Sequence, residues 1–129
     1  MRVDDRVRIE FKPTDKIHIV ADKEKVIQVF ANLINNALKF TSKGVIKISA
    51  VRDEKADKAI VTIRDSGSGI DADIFPHLFS KFKTKSEKGL GLGLYISKSI
   101  VDAHHGTIEA YNNPDSKGAT FVVTLPLNG

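Results

Sequence analysis

Residues 22–40 read DKEKVIQVFANLINNALKF, and the spacing of apolar residues in this stretch decides the kind of fold the chain adopts. Val26, Phe30, Leu33 and Ala37 form one apolar stripe, widened by Ile27, Ile34 and Leu38, and Asp22 stands where an N-cap would. The spacing predicts a helix of about five turns ending near Phe40, before Thr41-Ser42-Lys43-Gly44.

On both sides of this helix the pattern is that of strands. Residues 6–12 (RVRIEFK) and 17–20 (IHIV) predict two strands around a turn at Lys12-Pro13-Thr14-Asp15, the first at a sheet edge. Residues 45–52 and 58–65, joined by the charged stretch Asp53 to Asp57, predict an antiparallel hairpin. Residues 66–90 lose all clear period, the mark of a functional loop or a partly disordered one, with room for a short helix within Ile74 to Phe82. A second helix is legible from Gly91, with Leu92, Ile96, Ile100 and Ala103 at helical spacing, and stops at His104-His105-Gly106. Two last strands, 107–112 and 119–125, flank Asn112-Asn113-Pro114-Asp115. This order implies an α/β (α+β) two-layer sandwich, a mixed and mostly antiparallel sheet covered on one face by about three helices.

A chain of 129 residues with 41% hydrophobic content suffices for one domain and not for two. The absence of cysteine excludes a disulfide framework and thiolate metal sites, and fits a reducing compartment. No apolar run approaches the length of a bilayer span, and Met1 is followed by Arg2, Val3 and Asp4 rather than by a signal peptide. The net charge of +4 is modest, and one local cluster of cations stands out, Lys81, Lys83, Lys85 and Lys88. A nucleic-acid binder would need more of them on one surface, with aromatics interleaved.

Three constellations carry chemistry. On the first helix Asn32, Asn36 and Lys39 share a face, expected to lie opposite the apolar stripe; a solvated face is the plain alternative. Asn is a poor helix former, so three within five positions suggest that their amides serve a ligand. An amide oxygen suits Mg²⁺, and a Lys one turn on can reach a phosphate. The second is Asp65-Ser66-Gly67-Ser68-Gly69-Ile70, where Asp65 shares strand parity with Val61 and Ile63 and so points inward. A buried carboxylate needs a donor, which the exocyclic amine of adenine would supply; a tight Asx turn is the commoner origin of such a string. The third, Gly89-Leu90-Gly91-Leu92-Gly93-Leu94, opens the second helix with unpaired N–H groups suited to a polyphosphate, or else forms a hinge. Its spacing matches neither a dinucleotide fingerprint nor a Walker A loop. Between the last two, IFPHLFSKF (74–82) offers three phenylalanines for a small satellite core, followed by a cationic stretch suited to a lid.

In order and spacing, NLINNALKFT, DSGSGI, IFPHLFSKF, GLGLGL and GATF resemble the motifs of the histidine-kinase ATPase domain, from about Asp22 to Pro126. That domain belongs to the superfamily shared with gyrase B, Hsp90 and MutL. The resemblance implies a Bergerat-type fold and an ATP pocket with Asn36 on Mg²⁺, Asn32 beside it, Lys39 on phosphate and Phe40 near the adenine. It further implies that Asp65 binds the adenine amine, that Gly67, Gly69 and Ile70 line the base, and that Thr120 supports Asp65. A lid over about 71–90 would carry Lys81, while Gly89, Leu90, Gly91, Leu92, Gly93 and Leu94 would shape its return and the phosphate-facing helix start. Where ATP-hydrolysing cousins have a Glu that activates water, this chain has Asn32, which favours phosphoryl transfer over hydrolysis.

Two departures stand out. His104-His105-Gly106 occupies the place where His-Gly-Gly is common, and no phosphoacceptor motif or helical hairpin precedes Arg6. His18, His77, His104 and His105 read as surface or packing residues rather than as the acceptor. The expectation is therefore a single catalytic domain over 1–129 that lacks its dimerisation and phosphoacceptor domain. It would bind Mg-ATP and phosphorylate a histidine on that separate domain, which serves a response-regulator receiver domain, and would not autophosphorylate alone. No nucleic acid and no direct membrane insertion are expected, and the location would be cytoplasmic, free or as part of a membrane-bound sensor. The rivals are a serine kinase of the anti-sigma-factor type, a non-catalytic ATP-binding module and a basic nucleic-acid binder.

Overall fold

The computed structural model describes residues 7–13, 17, 19, 21–41, 44–73, 75–80, 90–115 and 117–127. In chain order the elements are β1 (Val7–Pro13), α1 (Lys23–Phe40), β2 (Gly44–Asp53), β3 (Lys58–Asp65), a 3-10 turn (Phe75–His77), α2 (Leu90–Ala103), β4 (Thr107–Asn112) and β5 (Ala119–Pro126). The five strands form one sheet in the order β1-β2-β3-β5-β4. β1 runs parallel to β2 along one edge, and every other pairing is antiparallel.

The register explains the core. Ile48 pairs with Ile63, Ile63 with Phe121, Val61 with Val123 and Val123 with Ile108, so one face of the sheet is a continuous apolar surface. Val29, Leu33 and Ala37 of α1 and Leu94 and Val101 of α2 are buried with Ile46, Ile63, Phe121 and Val123 in one cluster. Asp65 closes β3 on the covered face, 4% exposed, as its parity with Val61 and Ile63 predicts.

Both helix ends are locked locally. Asp22 Oδ1 accepts from the Lys25 N–H at 3.2 Å, the predicted N-cap. At the end of α2 the Gly106 N–H donates to Val101 O (2.9 Å) and the His105 N–H to Asp102 O (3.0 Å), a Schellman closure. His105 takes φ +62°, the left-handed position that Gly usually fills, at a local conformational cost. His104 joins the two helices: its Nδ1 faces Ile100 O at 2.8 Å, and its Nε2 accepts from the Asp22 N–H at 3.1 Å.

Some elements differ from expectation. Ile17 and Ile19 lie outside any strand, and His18 and Val20 fall outside the described residues. Among the described residues there are two α-helices, and the third expected helix is a 3-10 turn of three residues. The fully buried residues of α2 are Leu94, Ser97 and Val101; of the expected row, Ile96 and Ile100 are half-buried, Ala103 is exposed, and the Leu92 side chain lies outside the described residues. Seven apolar side chains from Leu90 to Val101 make α2 hydrophobic almost all round, so its period leaves the rotation open.

Candidate functional site

Helical geometry arranges the α1 constellation. At about 100° per residue, Asn36, Asn32 and Lys39 lie about 60°, 100° and 120° from the buried Leu33. They climb from the core edge to solvent: Asn36 is 9% exposed, Asn32 half-buried and Lys39 exposed. The expected face opposite the apolar stripe is thus a flank of it, turned towards α2. Asn32 Nδ2 donates to Gly93 O and Ser97 Oγ, both at 3.3 Å, which ties the middle of α1 to the first turns of α2. Ser97, fully buried, is a residue that sequence reasoning missed.

The helix ends near the second constellation. Thr41, the C-cap of α1, is 1% exposed, and among the described residues its Oγ1 has no hydrogen-bond partner. A side chain at Gly44 would touch Thr41 on one side and overlap Ser66 Oγ on the other. Ser66 is itself pinned to β2, its N–H donating to Val45 O at 3.1 Å and its Oγ accepting from the Val45 N–H at 3.0 Å.

Asp65 Oδ1 accepts two backbone hydrogen bonds, from the Gly67 N–H at 2.9 Å and the Ala119 N–H at 3.2 Å. Burial away from water pushes its carboxyl above the ordinary value, and those two donors offset the effect only in part. Gly69 has φ +83°, and Asn112 closes the strand from the other side, accepting from the Ile70 N–H (2.7 Å) and donating to Ile70 O (3.1 Å). Thr120, expected to support Asp65, acts through an intermediary: its hydroxyl donates to Asn113 Oδ1, and Asn113 Nδ2 donates to Asp65 O at 3.0 Å. The sequence pattern marks Asn113 only as a turn residue; the signal that could have found it is the run of Asx residues beside the Gly-Thr-like GATF.

At the third constellation, Leu90, Gly91, Leu92 and Gly93 form the first turn of α2, and Leu94 is buried in the core. Among the described residues, a Cβ at Gly93 would meet nothing within 4 Å, so they leave open space there. Lys81 and Gly89, and the lysines 83, 85 and 88, lie outside the described residues, as does the Phe40 side chain. The root of the expected lid is part of the main core rather than a satellite: Leu78 is buried, and Phe79 packs edge-on to Phe121 with centroids 6.3 Å apart at 88°. His77 and His105 are exposed. No described helix is long and apolar enough to cross a membrane.

The structure therefore joins Asn32 to the opening of α2 and builds a separately braced carboxylate at the end of β3, with the C-cap of α1 reaching towards the latter. Residues 21–129 match the model of the family described as histidine kinase-, DNA gyrase B-, and HSP90-like ATPase. The chain is 42% identical over 120 residues to the sensor protein KdpD of Clostridium acetobutylicum, an alignment covering 88% of this chain and 13% of that protein. Among solved structures, the catalytic domain of the histidine kinase ThkA superposes with TM-score 0.84 at 30% identity, over 95% of this chain and 80% of that one. Full-length ShkA in complex with AMPPNP gives TM-score 0.80 at 26% identity, over 93% of this chain and 25% of that one. The chain thus spans a small part of its longer relatives, and it belongs to the histidine kinase-, DNA gyrase B- and HSP90-like ATPase family as the catalytic ATP-binding domain of a sensor histidine kinase.

Proposed function

We propose that this domain binds Mg-ATP and passes the γ-phosphate to a histidine on a separate dimerisation and phosphoacceptor domain of its parent protein, from which a response-regulator receiver domain takes it. The observation that carries the reading is Asp65, a buried carboxylate held by two backbone donors on a single oxygen, so that the other oxygen can accept from an adenine amine. ShkA, a similar chain, was solved in complex with AMPPNP, which supports a nucleotide reading for this domain.

The residues fit the group. Thr41 Oγ1 is a buried polar atom still lacking a partner among the described residues, and Gly93 leaves a space that a phosphate can enter. No group of three acidic, His or Cys side chains among the described residues could hold a metal alone. Mg²⁺ would arrive with the nucleotide, held by the Asn36 amide oxygen together with phosphate oxygens and water, and would neutralise charge on the transferring phosphate. Lys39 and Lys81 add positive charge on the phosphates. Phe40, Gly67, Gly69 and Ile70 would border the base, and residues 71–90, returning through Gly89, Leu90, Gly91 and Leu92, would serve as the lid over the triphosphate.

In the transfer, the acceptor imidazole nitrogen attacks the γ-phosphorus in line, and the bond to the β,γ-bridging oxygen breaks to release ADP. The histidine is the nucleophile, so this chain supplies position and charge rather than a base. Asn32 fits that division: its amide takes no proton near neutral pH and is already oriented by Gly93 and Ser97.

Labelled ATP offered with isolated histidine-bearing and serine-bearing acceptor domains tests the proposal. An acid-labile label on the histidine acceptor is expected, and none on this chain alone. An acid-stable label on the serine acceptor would point to a serine kinase, and bound ATP with no labelled acceptor to a non-catalytic module. A second result follows from Gly93→Ala. Filling open space in a helix should stabilise the ligand-free domain by about 1 kcal/mol, a few degrees in Tm. The same methyl group should weaken ATP binding by about fivefold or more, the equivalent of about 1 kcal/mol. Unchanged affinity by calorimetry would show that this turn does not approach the phosphates.

A further inference from the structure

We infer that Asn113 is a positioning residue that fixes Asp65 for recognition of the adenine amine, an inference that rests on the nucleotide reading above. The β3–β5 ladder ends at the pair Arg64–Thr120, so Asp65 stands one residue beyond it on that side. A carbonyl just past a ladder has no strand partner, and Asn113 supplies one from its side chain. The residue is 3% exposed, and Nδ2 donates to two carbonyls, Asp65 O at 3.0 Å and Lys117 O at 2.8 Å. Carbonyls only accept, so these contacts fix which end of the amide carries the hydrogens, and Oδ1 must then accept from the Thr120 hydroxyl.

The Asn113 N–H donates to Gly118 O at 2.9 Å, which closes the β4–β5 turn on itself. From that turn the Ala119 N–H reaches the Asp65 carboxylate. One turn therefore holds Asp65 twice, its main chain through the Asn113 side chain and its carboxylate through Ala119. Thr120 orients the amide that does the first of these. A shift of the Asp65 main chain would turn the carboxylate relative to the base while leaving the α1 and α2 side of the site in place.

The test compares ATP with inosine triphosphate, which has a carbonyl where adenine has its amine and so meets the carboxylate unfavourably. The native chain should prefer ATP by about tenfold or more. Asn113→Asp keeps the shape but turns an oxygen, in place of Nδ2, towards two carbonyls, and Asn113→Ala removes the donor; both should bring the ratio near one. Affinity for inosine triphosphate should stay within about twofold, since it depends on Mg²⁺ and the phosphates. Thr120→Val should reduce the ratio in part and Thr120→Ser restore it, which keeps the test open if an Asn113 variant fails to fold. In the ligand-free protein, Asn113→Ala should speed hydrogen exchange at the Gly67 and Ala119 amides that hold Asp65. Equal loss of both nucleotides, or an unchanged ratio with unchanged exchange, would overturn the inference. If the native chain bound neither nucleotide, the nucleotide reading would fail, while the exchange rates would still decide whether Asn113 holds Asp65.

Discussion

Asp65→Asn is expected to weaken ATP binding by about tenfold to a hundredfold, the worth of one hydrogen bond to a charged group, while leaving the ligand-free domain at least as stable as before. Burial raises the carboxyl of Asp65 above its ordinary value despite the N–H groups of Gly67 and Ala119. The folded state therefore holds that proton more tightly than the unfolded chain does. Stability from this linkage is fully present below the unfolded value of 3.8 and is lost as pH rises through the raised folded value. Above that raised value the ionised carboxylate is a local burden on the fold, and an amide removes it. Asn can keep one oxygen on both backbone donors, but it then presents an NH₂ group to the adenine amine, donor against donor. Thermal unfolding across pH should show the variant equal or ahead at neutral pH, with its advantage shrinking in acid. Marked destabilisation at neutral pH would mean that the carboxylate serves the fold rather than a ligand.

Gly118→Ala should have the opposite character, destabilising the domain by more than about 3 kcal/mol and abolishing ATP binding with it. Gly118 has φ +88°, and a Cβ there would overlap the carbonyl oxygen of Asp65 and lie 2.7 Å from Asp65 Oδ1. The obstacle is backbone, which cannot step aside as the end of a flexible side chain can. Any relief would push the β4–β5 turn away and break the bonds from Asn113 and Ala119 to Asp65. Denaturant unfolding should reveal the loss, and Gly93→Ala serves as a control because its methyl group enters open space. Near-native stability for Gly118→Ala would show that the turn is not fitted against Asp65.

What the sequence reveals and what it hides have physical reasons. α1 is legible because apolar and polar positions alternate at helical spacing behind a capping aspartate, and the central hairpin because β-branched runs flank a charged turn. The inward course of Asp65 follows from strand parity alone. The burial of Asn36 does not, since the buried axis runs through Val29, Leu33 and Ala37, and that choice depends on where α2 lies. For α2 the apolar side chains surround the helix, so Ser97, the small residue that lets α1 approach and that accepts from Asn32, leaves no periodic trace. Asn113 is hidden for a different reason: in sequence it is a turn residue, and only the pairing of β4 with β5 brings its amide to Asp65.

On the proposed reading, the amides of α1, the carboxylate at the end of β3 and the opening of α2 enclose one magnesium-bound adenine nucleotide. Nitrogen-resolved NMR of the native chain during titration with Mg-ATP addresses it directly. The side-chain amides of Asn32 and Asn36 and the backbone amides of Gly67, Gly93 and Ala119 should all shift along one saturation curve with a single Kd. Separate curves for the helical amides and for the Asp65 loop, or movement of only one of these groups, would contradict it.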